Sequence, residues 1–301
     1  MRFRHLDLNL IIYLDALLAE RSVSRAAERV HISQSAMSDA LARLRVYFKD
    51  KLFVQVGRSM APTPLAASML QPIRDILLQV ESVASTNVQF DPRSSRRNIS
   101  ILASDYVTDV LLNRALLRMS REAPGITAEI RHFTGSFVQD FEQGNLDLLI
   151  TPRGYATARH LGTTLYTEDF VCVVWKGNRK IGNGLTFDQY KSLGHIRVTL
   201  GDWRISTYDE WFLKHRGDIR RIELVVPSFR MALQFVTDTE RVLTCHHRHA
   251  RMYAKQYDLK LLKAPFDIPP IELQMQWHKY RDQDPALAWF RELLQSVARD
   301  I

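Results

Sequence analysis

Gln34, Ser35, Ser38 and Asp39, followed by Arg43 and Arg45, place short hydrogen-bonding side chains and two guanidinium groups within one stretch of chain. Residue types of this kind recognise nucleic acid. Gln pairs bidentately with adenine, Ser donates or accepts, and Arg holds phosphate oxygens. Spacing decides whether they share a surface. Met37, Leu41, Leu44 and Phe48 fall at i, i+4, i+7 and i+11, so a helix over Gln34 to Phe48 has one core side and turns the polar set, with Ala42, outward. Ser33 is its natural N-cap. A helix that enters the major groove presents its leading residues to the bases first. That assigns Gln34, Ser35 and Ser38 to base edges and Arg43 and Arg45 to phosphates, with Ser33 and Asp39 on the same surface.

The elements that must hold this helix are legible on either side of it. Leu10, Tyr13, Leu14, Leu17 and Leu18 predict an amphipathic helix over Leu8 to Glu20. Ser24 is placed to cap a short helix from Arg25 to Val30, where Ala26 and Ala27 permit close approach, and His31-Ile32-Ser33 is the turn. Beyond the third helix, Leu52 to Val56 reads as a strand, Gly57-Arg58-Ser59 as a tight turn and Met60 to Thr63 as the return. This is a wing. Arg58 at its tip suits the negative potential of a flanking minor groove, and Thr63 closes the candidate DNA-binding set. A plain three-helix domain with solvated polar faces is the competing reading. The order of the elements argues against it more than any single residue does.

Composition is consistent with a DNA-binding function. The chain has 301 residues, 46% hydrophobic and 25% charged, which suits a soluble globular protein of at least two domains. No apolar run reaches the ~18 residues that span a bilayer, and the opening segment is broken by Asp15 and Glu20, so a cytoplasmic location and no membrane partner are expected. The net charge of +8 favours a polyanionic partner. Cys172 and Cys245 lack a C-x-x-C context, so neither a disulfide framework nor a zinc cage is expected.

Several stretches together closely resemble the amino-terminal domain of LysR-type transcriptional regulators. They are Asp7-Leu8-Asn9-Leu10, Ser24 to Val30, His31 to Ser38, Leu44-Arg45, and Leu52-Phe53 through Pro62-Thr63-Pro64. The opening residues resemble the subgroup of nodulation regulators and regulators of aromatic-compound catabolism. The resemblance implies double-stranded promoter DNA as partner, activation of a nearby operon through RNA polymerase, and self-association as a dimer of dimers. It also implies a small, aromatic or phenolic inducer and a catabolic operon as target.

Between Pro64 and Ser85, Leu65, Met69, Ile73, Ile76, Val80 and Val83 keep helical steps, a stripe that a partner helix or the chain's own domains would cover; the resemblance implies the helix through which such regulators dimerise. Pro72 should kink or locally break it. Polar residues from Asn87 to Asn98 read as a hinge. Strands then alternate with helices from Ile99 onward. The expected fold class is α+β: a winged helix-turn-helix over 1–63, a linker helix over 64–90, and an effector domain over 91–301. The resemblance implies that the last is a two-subdomain α/β domain of the periplasmic-binding-protein type 2. Its subdomains would cover about 99–162 with 270–301, and about 163–269, joined by crossovers near Leu161 to Glu168 and Pro265 to Leu273.

In such a domain the ligand lies where strand ends and helix N-termini converge. Ser104, Asp105 and Tyr106, then Phe133, Thr134 and Gly135, then Thr199, Ser228 and Phe229 occupy those positions here, and the resemblance carries inducer binding onto them. Each is otherwise an ordinary helix cap or a packed aromatic. His246 and His249 share a helix face, yet no metal is expected, and no cofactor either. Catalytic fingerprints such as G-x-S-x-G or H-E-x-x-H are absent, so the chain is not expected to be an enzyme. A free-standing solute-binding protein would leave the front domain without a role.

Overall fold

Leucines one helical turn apart close the first core. In the computed structural model, α1 (Asn9–Glu20), α2 (Val23–Arg29) and α3 (Gln34–Phe48) bury Leu14, Leu17, Ala26, Met37 and Leu44 together. Described are residues 7–56, 59–84, 90–201, 211–212, 214–215, 217 and 220–301. They divide into two units, Met1–Thr86 with Glu142–Gly144, and Asn87–Phe141 with Asn145–Ile301.

In the first unit the cap of α2 is Ser22, whose hydroxyl accepts from the Arg25 amide, so the helix begins two residues before the position expected from Ser24. The wing is an antiparallel pair, β1 (Phe53–Val56) with β2 (Ser59–Pro62). Ser59 already pairs with Val56, so it belongs to the returning strand rather than to the turn. Gly57 and Arg58, the expected tip, lie outside the described residues. α4 (Pro64–Ala84) runs through Pro72 without a break. Pro72 and Ser68 are both exposed, so the carbonyl that Pro72 leaves without an i+4 donor is close to water. Ala66 and Ile73 of α4 pack into the three-helix core.

The second unit is built on two sheets. β3 (Arg97–Leu102), β4 (Ile126–Arg131), β5 (Leu148–Pro152), β6 (Leu161–Glu168) and β12 (Ile271–Trp277) form one in the order β4-β3-β5-β12-β6. β4, β3 and β5 are parallel, and β12 is antiparallel to both its neighbours. Leu161–Glu168 is therefore an edge strand paired along its length with β12, not the crossover expected there; the chain leaves this sheet only after Glu168. The other sheet holds β7 (Phe170–Trp175) between β10 (Leu243–His246) and β11 (Leu259–Leu262), and a bridge from His195 to Val242 joins the parallel pair β8 (Gly194–Val198) and β9 (Arg221–Val226) to it. Helices follow the strands. After β3 come α5 (Asp105–Val107), a π-helical turn (Thr108–Leu112) and α6 (Asn113–Glu122). α7 (Phe137–Glu142) follows β4, α8 (Phe187–Ser192) precedes β8, α9 (Phe229–Gln234) follows β9, α10 (His247–Tyr253) follows β10 and α11 (Pro285–Arg299) closes the chain. Cys172 and Cys245 are buried free thiols. No helix is long and apolar enough to cross a membrane among the described residues.

Candidate nucleic-acid interface and effector cleft

Ser33 starts α3 by accepting the Ala36 amide at 3.1 Å, and its hydroxyl meets that of Ser35 at 2.9 Å. Gln34, Ser38 and Asp39 are exposed and make no side-chain hydrogen bond among the described residues. Their polar atoms face water, available to a partner. Arg43 lies 3.4 Å from Asp7, and Arg45 donates through Nε to the Lys51 carbonyl at 2.8 Å, which holds its guanidinium at the exposed end of the helix. The outer face also carries Val46, 78% exposed, beside the polar set. Its position eleven residues after Ser35 was legible from helical periodicity. An exposed aliphatic group there suits a thymine methyl.

Thr63 is engaged within its own domain. Its hydroxyl donates to Asp50 at 2.7 Å and accepts the Ala66 amide at 3.2 Å, so it caps α4 and ties it to the wing. Asp50 also accepts the Leu52 amide at 2.6 Å, and Leu52 is fully buried at φ 59, a left-handed conformation unusual for Leu. One carboxylate thus fixes the exit of α3, the start of the wing and the start of α4.

The strand-end residues form a second constellation, within the second unit. Ser104 caps α5, and Asp105 beside it accepts the backbone amides of Phe229 and Arg230 at 3.2 and 2.8 Å. The carboxylate of the first subdomain therefore occupies the start of α9 in the second. Ser228 caps α9 by accepting the Met231 amide. Tyr106 and Phe229, expected to face a ligand, are 1% and 6% exposed. The Tyr106 hydroxyl donates to Glu168 at 2.6 Å, and its ring stacks on His246 at 3.9 Å. Both rings are core between the subdomains, because an apolar ring that seals the interface gains more from burial than from an open cleft. Phe133 packs edge-on to Phe137, Thr134 meets Ser136, and Thr134 and Gly135 are exposed. Gly201, at φ 57, approaches the Phe133 carbonyl so closely that a Cβ would lie 2.1 Å from it. The Phe133–Gly135 loop and the segment after Thr199 thus meet across the cleft, whereas the Thr199 amide itself pairs with Val226.

The centre of this interface is a residue that no sequence motif marks. Asp109, in the π-helical turn, accepts from His249 Nε2 at 2.9 Å, Tyr253 at 2.9 Å and Arg230 Nε at 3.0 Å. Burial alone would raise its pKa; the bonds from His249, Arg230 and Tyr253 hold it down at about 2. Burial and the Asp109 bond push Tyr253 up to about 12. Glu168, 0% exposed, accepts from Tyr106 and from both the backbone and the guanidinium of Arg248. His246 is lowered to about 3 by burial and by His249. The histidines considered as a metal pair thus serve a stacked ring and a carboxylate. A π-helical turn after β3 was the missing signal, and no side-chain pattern announces one.

Residues 8–67 match the model of bacterial regulatory helix-turn-helix proteins of the lysR family, and residues 92–299 match the LysR substrate binding domain. The chain belongs to the LysR family. It is similar to nodulation protein D 2 of Rhizobium tropici, 40% identical over 298 residues, covering 99% of this chain and 95% of that protein. Nodulation protein D 1 of a Bradyrhizobium strain is 38% identical over 301 residues, covering 100% and 96%. Among solved structures, a probable transcriptional regulator from Pseudomonas aeruginosa superposes with TM-score 0.65 at 29% identity over 97% of each chain. Full-length OxyR from the same organism shares the fold with TM-score 0.74 at 16% identity, over 98% of this chain and 95% of that one. As a LysR-family member the protein is a DNA-binding transcriptional regulator and not an enzyme. The family match places the helix-turn-helix on α1 to α3 and the ligand-binding fold on the two-sheet unit.

Proposed function

We propose that this LysR-family regulator is a cytoplasmic activator that reads promoter DNA through α3 and responds to a small aromatic or phenolic inducer held between its two effector subdomains. The observation that carries the reading is the exposed, unengaged polar set Gln34, Ser38 and Asp39 at the head of a Ser-capped helix, flanked by Arg43 and Arg45. Arg58, whose place lies outside the described residues, would add a minor-groove contact by its charge. The division into 1–63, 64–90 and 91–301 stands as the working domain plan, with the subdomain exchange moved to the end of β6. α4 is the dimerisation helix: Ile76, Val80 and Val83 are 42%, 51% and 77% exposed, a stripe that a second copy would cover. Pairs of dimers would then engage RNA polymerase beside the operator. The family includes a regulator of similar fold, CbnR, solved with its target DNA, at TM-score 0.53.

Inducer binding acts by moving one subdomain against the other, which requires rearranging the Asp105 and Asp109 contacts. Ser104, Thr134, Gly135, Thr199 and Ser228 remain the effector contacts at the cleft rim, with Phe133 as an aromatic wall. The target is a catabolic operon or, as the names of the relatives favour, a set of nodulation genes. Thermal-shift screening of the full chain against phenols, benzoates and flavonoids separates the two. A shift with flavonoids alone supports nodulation genes, a shift with benzoates or simple phenols supports a catabolic operon, and no shift with any of them removes the aromatic inducer.

A further inference from the structure

One carboxylate sits on the apolar side of α1. Asp15 is 6% exposed, between Leu14 and Ala16 at 0% and 1%, in the core that also receives Ala66 and Ile73 of α4. Its partner is Arg74, at the middle of α4, in an ion pair whose side chains are 9% and 12% exposed. Arg29 of α2 approaches the other carboxylate oxygen at 3.8 Å and reaches Glu20 of α1 at 3.4 Å. All three helices of this corner therefore meet at one charge. Burial raises the Asp15 pKa and lowers that of Arg74, which marks both charges as held in a place that disfavours them.

Stability is a poor reason for such a pair, because replacing buried ions by apolar side chains of similar bulk is often neutral or stabilising. Direction is a better one. Met69, Ile73 and Leu77 pack α4 on the three-helix core, and apolar contact is non-directional, so alone it would let α4 roll or slide. With Arg74 Nε against one Asp15 oxygen and Arg29 approaching the other, a slide or roll of α4 would pull the buried charges apart, so the pair favours one register and one roll. We propose that Asp15 and Arg74 are a positioning pair that sets the angle at which α4 leaves the reading head, and through it the separation of two reading heads in a dimer. The inference rests on dimerisation through α4. About 15 Å of helix separates Arg74 from Ala84, at 1.5 Å per residue. A swing of about 15° would then move the far end by about 4 Å, close to the ~3.4 Å of one base-pair step.

The test uses the full chain and a paired half-site duplex that the unaltered protein selects from random DNA, remade with one or two base pairs inserted between the half-sites. The double variant Asp15→Leu with Arg74→Met is compared with the unaltered protein and with Arg74→Lys. Dimer mass and thermal unfolding are measured alongside. The expected result is a folded dimer with unchanged affinity for a single half-site. Its preference for the selected spacing falls at least about fivefold, roughly 1 kcal/mol. Arg74→Lys keeps the charge and most of the preference. If the double variant does not fold, Asp15→Asn, which preserves volume, is read in the same way. Spacing preference unchanged within about twofold in the folded variant overturns the pair's role. So does an equal loss on single and paired half-sites. A monomeric unaltered protein, or selection that yields no paired half-sites, overturns dimerisation through α4 instead.

Discussion

The two proposed recognition regions hold their polar side chains in opposite states. On α3, Gln34, Ser38 and Asp39 point into water and make no side-chain hydrogen bond among the described residues, whereas in the effector unit Asp105, Asp109 and Glu168 are each bonded across the subdomain interface and Tyr106 stacks across it on His246. The difference follows from what each region must do. A groove-reading surface gains its bonds only from DNA and needs no internal change to bind. A switch must already hold one arrangement in place, so that a ligand has something to displace. Substitutions should therefore cost stability in the second region and selectivity in the first.

The largest expected effect is at Asp109. Asp109→Ala leaves His249, 0% exposed, and Arg230 and Tyr253 without their shared acceptor. Unfolding of the effector unit in urea should show a loss of about 3 kcal/mol, as for other broken buried pairs. Acid offers a second measure. The folded pKa of about 2 lies below the ordinary 3.8, so the stabilisation is complete above about pH 4 and is lost as pH falls toward 2. Asp109→Asn should remove that part of the acid dependence. A loss below about 1 kcal/mol would break the contrast, since the interface would then not depend on its central acceptor.

At the reading surface the effect moves from stability to discrimination. Gln34→Ala should leave thermal unfolding unchanged and cost about 1–3 kcal/mol on a selected operator, with little change on random DNA. Arg45→Ala should weaken both alike and reduce the salt slope by about one. Competition gel shifts read both outcomes. Equal loss on the two DNAs for Gln34→Ala would remove that side chain from base contact. A sizeable fall in thermal stability would mean that α3 is not the idle surface it appears in isolation.

What could be read in the chain divides along the same line. The Ser33 cap and the Met37, Leu41 and Leu44 face of α3 are local: cap and periodicity lie within one helix, so spacing alone predicts the surface. Even there, two serines two residues apart competed for the start of α2, and the hydroxyl that reaches the Arg25 amide is that of Ser22. The effector unit depends on pairings far apart in sequence. β6 pairs with β12 about a hundred residues later, and Asp109 meets His249 across 140 residues, separations on which a hydrophobic pattern carries no information. The strand-end rule pointed to Ser104 to Tyr106 and to Ser228 to Phe229, which the structure brings together where Asp105 accepts the Phe229 amide. It could not tell which side chains face a cleft and which close it, because burial is set by the other subdomain.

Thr63 supplies the smallest and sharpest test, because it lies beside the reading surface yet behaves like the effector contacts. As a DNA contact, its replacement by Val would weaken binding at once and leave stability alone. Its observed bonds to Asp50 and to the Ala66 amide require the reverse. Thr63→Val removes one cap, worth about 1 kcal/mol, and leaves Asp50 bonded to the Leu52 amide. The loss should therefore appear in urea unfolding of the first unit. The salt slope on DNA should stay the same, since no phosphate contact is removed. Asp50→Asn probes the partner: an amide oxygen still accepts from Leu52 and Thr63, so a smaller loss than for Thr63→Val is expected. If Thr63→Val instead lowers the salt slope and spares stability, the hydroxyl turns outward when DNA is present.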